Sequence, residues 1–111
     1  MVIRKVDSNQ AEIVAALREV GATVQPIHEI GAGCPDLLVG YHGYNYLIEV
    51  KVPGSERHLT RLEAEWLGQW EGQAAIAATP EQALDIIGAA WRPEWRDVYL
   101  AMHKADAQAA P

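Results

Sequence analysis

Along SNQAEIVAALREVGA the apolar residues Ile13, Val14, Leu17 and Val20 recur at the three-and-four spacing that lays a stripe along one side of a helix. Gly21 supplies a C-terminal stop, so the spacing predicts a first helix over 8–22. The period then changes to two. VQPIHEI (24–30) predicts a strand, and Pro26, which has no N–H to donate, assigns it to an edge or a bulge. After the loop GAGCP, DLLVG (36–40) predicts a short buried strand, and YHGYN a turn around Gly43. NYLIEVKV (45–52) alternates strictly, with Tyr46, Ile48 and Val50 on one face and Leu47, Glu49 and Lys51 on the other.

PGSERH predicts a loop. In TRLEAEWLGQWEG (60–72), Thr60 and Glu63 form the S/T-x-x-E capping box of a second helix, whose apolar face is Leu62, Trp66, Leu67 and Trp70. QAAIAA (73–78) predicts a buried strand. TPEQALDIIGAAW opens a further helix with Thr79 as cap, Pro80 in the first turn and Gln82 completing the box. A last helical stretch is expected after Pro93, then a frayed tail. The order helix, three strands, helix, strand, helix predicts an α/β domain, with a mixed central sheet flanked by helices and the middle strands paired as a hairpin. One domain over 1–104 and a flexible tail over 105–111 are expected, with no repeats.

Composition narrows this picture. A chain of 111 residues, half of them apolar, suits one domain around one core. It contains no run of 18 apolar residues, and MVIRKVDSNQ lacks the apolar region of a secretory signal, so a soluble, cytoplasmic protein without a membrane segment is expected. The single Cys34 makes no internal disulfide, and His28, His42, His58 and His103 lack the spacing of a zinc site. A net charge of −6 excludes nucleic-acid binding through a generally basic surface, so any phosphate contact must be local. Basic residues gather at Arg4 and Lys5, and again at Lys51, Arg57, His58 and Arg61.

The candidate chemistry lies in GCPDLLVGYHGYNYLIEVK. Pairing DLLVG with NYLIEVKV brings Asp36, at the outer end of one strand, to the end of its partner where Glu49 and Lys51 share a face. Two carboxylates crowded in a partly desolvated place repel, and a bound cation relieves the repulsion. A hard divalent cation such as Mg²⁺ suits one or two carboxylates when water and a phosphate supply the remaining oxygens. Such a cation acidifies water and neutralises a phosphodiester, and a neighbouring lysine offers positive charge to the attacking water or the phosphate. Hydrolysis of nucleic acid is the reaction implied.

Pro35-Asp36 followed by Glu49-Val50-Lys51 resembles the PD-(D/E)XK nuclease superfamily, and GCPDLLVGYHGYNYLIEVK with LTRLEAEW is similar to its VRR-NUC branch, common in phages and bacteria. The resemblance covers roughly 7–87. It implies a restriction-endonuclease-like core, Asp36, Glu49 and the Val50 carbonyl as metal ligands, Lys51 as the catalytic lysine, and Mg²⁺, replaceable by Mn²⁺, as cofactor. The first helix of the superfamily carries a glutamate or glutamine facing the metal; Gln10, on the Ile13 and Leu17 side, fits the glutamine, and Asp7 or Glu12 is open for the acid. The implied activity is a DNA endonuclease, phage or prophage related, leaving a 5′-phosphate and a 3′-hydroxyl. With no separate sequence-reading module, selection of branched DNA, a Holliday junction or a flap is expected. Likeness to Holliday-junction resolvases implies a homodimer. Lys5, Arg57, His58 and Arg61 are the expected DNA contacts. Glu63 departs from the pattern, since relatives often carry glutamine there.

Each residue alone has an ordinary alternative. Asp36 fits a turn and Glu49 with Lys51 a solvated edge pair. Gln10 can close a capping box with Asp7, Arg57, His58 and Arg61 can be plain surface charge, and Cys34 a small loop residue. Trp66 and Trp70 predict core positions ahead of base-stacking ones; Trp91 and Trp95 suit a core or an oligomer interface. The combination favours the nuclease, and its rival is a catalytically silent module on the same fold, binding DNA or a protein, which the acidic charge and Glu63 favour.

Overall fold

The computed structural model describes residues 9–89. Lys5, Asp7, Trp91, Trp95, the helical stretch expected after Pro93 and the tail 105–111 lie outside them. The elements run α1 (Gln10–Glu19), β1 (Thr23–Pro26), a 3₁₀ turn (His28–Ile30), β2 (Leu37–Tyr41), β3 (Tyr44–Val50), α2 (Arg61–Gln69), β4 (Ala74–Ala77) and α3 (Pro80–Ile86). The sheet order is β1-β2-β3-β4, with the first three strands antiparallel and β4 parallel to β3. The described residues thus form an α/β fold with a four-stranded mixed sheet, as the alternating and helical periods predict. Among the described residues no helix is long and apolar enough to cross a membrane.

The period-two alternation of β2 and β3 decides which face is closed. Leu37, Val39, Ile48 and Val50 point inward, where they meet Ile13 and Leu17 of α1 and Ala83 and Leu84 of α3, and all eight are at most 1% exposed. Burying each leucine, isoleucine or valine contributes about 1.5–3 kcal/mol against exposure, so this layer holds the fold. Gly21, at φ +96°, ends α1 in a conformation that glycine adopts without a Cβ penalty.

Three expectations are corrected. The strand predicted over 24–30 stops at Pro26, because its partner β2 begins only at Leu37. A final bond runs from Ile27 N to Asp36 O at 2.7 Å, after which no strand faces the chain and it turns into the 3₁₀ segment. Trp66 and Trp70 are not core residues. Helix α2 buries none of its residues, Leu62 and Trp70 are 50% and 48% exposed, and the two indoles stack on each other with centroids 4.5 Å apart. The core is filled instead from the side of α1 and α3. Finally, Gln82 does not close its capping box on Thr79; its Oε1 accepts from Ala78 N at 2.6 Å, one residue earlier, while Thr79 Oγ1 accepts from Gln82 N at 3.2 Å. The box of Thr60 and Glu63 forms in full.

The β2–β3 hairpin turns on His42 and Gly43, at φ +50° and +85° with Tyr41 opposite Tyr44. This is the two-residue geometry whose twist matches paired strands, and it fixes the register that carries Asp36 to the far end of β3.

Candidate active site

Leu37 pairs with Ile48, so Asp36 arrives where the β2 ladder has ended and β3 continues. Its side chain replaces the missing strand: Asp36 Oδ2 accepts from Val50 N at 2.7 Å. Lys51 N donates to Ala77 O on β4 at 3.0 Å. Backbone groups alternate sides along a strand, so the Val50 N–H and carbonyl both face the Asp36 side. The sequence pairing of a Pro-Asp end with a Glu-x-Lys end therefore becomes one place in space.

Glu49 and Lys51 project from the face opposite the α1–α3 core. Glu49 is only 4% exposed. Burial, then the charges of Asp36 and Glu63, and a hydrogen bond to Glu63 push its carboxyl up to about 8 against an opposing pull from Lys51. At neutral pH without a cation, Glu49 is thus largely protonated. Burial would also raise Glu63, but hydrogen bonds from Lys51 and from the Thr60 backbone hold it below the ordinary carboxylate value. Lys51 Nζ sits 2.7 Å from Glu63 Oε1 and 3.7 Å from Glu49 Oε2. Cys34, in the loop before Asp36, has its thiol raised by burial and by Glu49 and Asp36, which disfavours the thiolate a nucleophile needs.

The geometry joins Asp36, Glu49 and Lys51. Gln10 makes no hydrogen bond to these residues. It is 6% exposed, on the α1 side that carries Ile13 and Leu17, and its Oε1 is buried without a hydrogen-bond partner. Glu12 is exposed on the other side of the helix. Arg57 and His58 are exposed and line an open cleft of about 520 Å³ with Gly54, Glu56, Ile76 and Gln82. Ile76, on β4, is the register partner of Glu49, so the cleft runs along the strand beside Glu49 and reaches the first turn of α3 at Gln82. Arg61 does not line it; its side chain is 86% exposed, 3.8 Å from Glu65.

Two contributors escape a reading of the sequence. Asn9 holds the N-cap position of α1 but makes no capping bond; its Nδ2 donates to Lys51 O at 2.9 Å and Ala78 O at 2.8 Å. It ties the ends of β3 and β4 to the start of α1. An asparagine before a helix predicts a cap, and only the three-dimensional register reveals the other use. Glu63 is legible as a cap partner, whereas its bond to Lys51 is not.

Among the described residues no group of three or more His, Cys, Asp or Glu side chains is arranged to hold a metal ion. The oxygen donors near Lys51 are the carboxyl groups of Asp36 and Glu49, the Val50 carbonyl, and Glu63, which is already bonded to Lys51. Hard oxygen donors of this kind suit Mg²⁺, which retains water and needs few protein ligands; Glu49 would join them only as the carboxylate, once the cation displaced the proton that its neighbours favour. Searches against protein-family models, curated proteins and solved structures found no match to the chain.

Proposed function

We propose that the protein is a Mg²⁺-dependent DNA endonuclease of the PD-(D/E)XK type, closest to the VRR-NUC branch and built on a restriction-endonuclease-like core. The observation that carries this reading is the 2.7 Å bond from Val50 N to Asp36 Oδ2, which fixes a carboxylate beside buried Glu49 and next to Lys51. Asp36, Glu49 and the Val50 carbonyl would hold the cation. When bound, Mg²⁺ supplies charge neutralisation at the phosphodiester and acidifies water. Lys51 stabilises the negative charge that grows on the phosphate, and its ammonium orients the attacking water. Arg57 and His58 carry the flanking phosphates, and Gln10, whose neighbour Asn9 bonds the Lys51 carbonyl, orients the shell from α1. The resemblance to junction resolvases extends the proposal to a homodimer acting on branched DNA.

A second reading has one specific observation behind it. Lys51 is already engaged by Glu63 at 2.7 Å, as expected of a nuclease fold kept as a binding module. Incubation with branched, flapped and linear DNA in Mg²⁺ or Mn²⁺ separates the two. Cleavage leaving 5′-phosphate ends supports the enzyme; binding without cleavage supports the silent module. Light scattering tests the dimer, which a monomer mass would contradict.

A further inference from the structure

The first turn of α2 touches both halves of the candidate site. Glu63 Oε1 accepts two hydrogen bonds, from Lys51 Nζ at 2.7 Å and from Thr60 N at 2.9 Å. Thr60 Oγ1 in turn accepts from Glu63 N at 3.1 Å. A carboxylate already fixed by its own helix cap loses little freedom on gripping a lysine, and the grip is a charge-assisted bond, the stronger kind. On the other side, the peptide joining Leu62 to Glu63 lies against Gly33, three residues before Asp36. A Cβ on Gly33 would stand 2.3 Å from Leu62 O and 3.0 Å from Glu63 N, and Gly33 has φ +85°. No other residue fits there without moving the helix. One peptide unit of α2 therefore abuts the Asp36 loop and carries the carboxylate that holds Lys51.

We infer that Glu63 is a positioning residue for Lys51, and that the Gly33 contact sets where Glu63 stands. An unheld lysine side chain samples many rotamers, and fixing it costs conformational entropy. Here Glu63 does the fixing before substrate arrives, through the 2.7 Å bond to the ammonium. The carboxylate grips the ammonium; an amide at this position would offer a neutral oxygen. The inference rests on the nuclease reading for its effect on turnover, but not for the effect on Lys51 itself.

The test compares Glu63→Ala, Glu63→Gln and Thr60→Ala in the full chain, with two readouts. NMR relaxation at the Lys51 Cε reports side-chain order without any substrate; DNA cleavage in Mg²⁺ gives kcat and KM. Expected for Glu63→Ala is a marked loss of Lys51 order and a fall in kcat of about 10–100-fold with KM little changed. Glu63→Gln recovers part of both. Thr60→Ala removes only the capping bond, so it lowers the melting temperature while leaving Lys51 order and kcat near wild type. If Glu63→Ala leaves Lys51 order unchanged, or if Thr60→Ala reproduces the whole effect, the assignment is overturned and Glu63 is a cap alone. Should wild-type protein cut no DNA while Glu63→Ala still disorders Lys51, the nuclease reading falls and the positioning role stands.

Discussion

The two faces of one sheet have been put to opposite uses. On one side Ile48 and Val50 are at most 1% exposed beneath α1 and α3, in a core cluster of buried aliphatic side chains with Tyr41 and Tyr46 packed at its margin. On the other, reached by a single step along the same strand, Glu49 is almost as deeply buried but is crowded by Asp36 and Glu63 and raised to about 8. α2 on this side buries none of its residues. The first face lowers the free energy of the fold; the second keeps a carboxyl in a place that disfavours its charge. The contrast separates the scaffold from the proposed site more sharply than any one residue.

Truncating the closed face should give the largest effect. Leu17→Ala is expected to destabilise by about 2–5 kcal/mol through lost burial and a residual cavity, read by urea unfolding. A cost under about 1 kcal/mol would show that α1 is not the main cover of the sheet.

On the open face the sign should reverse. Glu49 has a folded value of about 8 against an ordinary 4.5, so the folded chain holds a proton that the unfolded chain releases. Its contribution to stability is complete below about pH 4.5 and is lost as pH rises toward 8. Lowered Glu63 works oppositely, losing stability as pH falls through the acid range. In the absence of divalent cations, Glu49→Gln should therefore flatten the fall between pH 6 and 8 and exceed wild type at pH 8 by about 1–3 kcal/mol, while abolishing cleavage. A variant less stable than wild type at pH 8 would mean that Glu49 is a structural ion-pair partner.

Smaller effects should sharpen the boundary between the faces. Thr79→Ala, at the N-cap of α3 on the closed side, should cost about 1 kcal/mol of stability and leave DNA binding untouched. Arg57→Ala, in the cleft beside Ile76, should weaken DNA binding a few-fold and reduce the slope of log affinity against log salt by about 0.9; no change in slope would remove Arg57 from the phosphate track.

Most of the closed face is legible in the sequence, because helical and strand periods report burial directly. Ile13 and Leu17, and Ile48 with Val50, declare their side by spacing alone. The meeting of Asp36 with Glu49 and Lys51 is legible too, since a two-residue turn at His42-Gly43 leaves one register. What escapes is contact between elements distant in sequence. Asn9 looks like a cap and instead bonds Lys51 and Ala78; Glu63 looks like a cap partner and also holds Lys51. Trp66 and Trp70 mislead for the same reason, because an apolar stripe predicts a buried face without saying whether another element is there to cover it. Their indoles cover each other.

The central claim is that Asp36, Glu49 and Lys51 form a cation-dependent phosphodiester-hydrolysing site. Single-turnover cleavage of a four-way DNA junction by purified protein, with Mg²⁺ and with EDTA, tests it most directly when wild type is run beside Lys51→Ala. Cleavage is expected to require Mg²⁺ and to fall by about 10²–10³-fold in the variant. Equal cleavage by Lys51→Ala, or none by wild type on junction, flap and linear DNA alike, would contradict it.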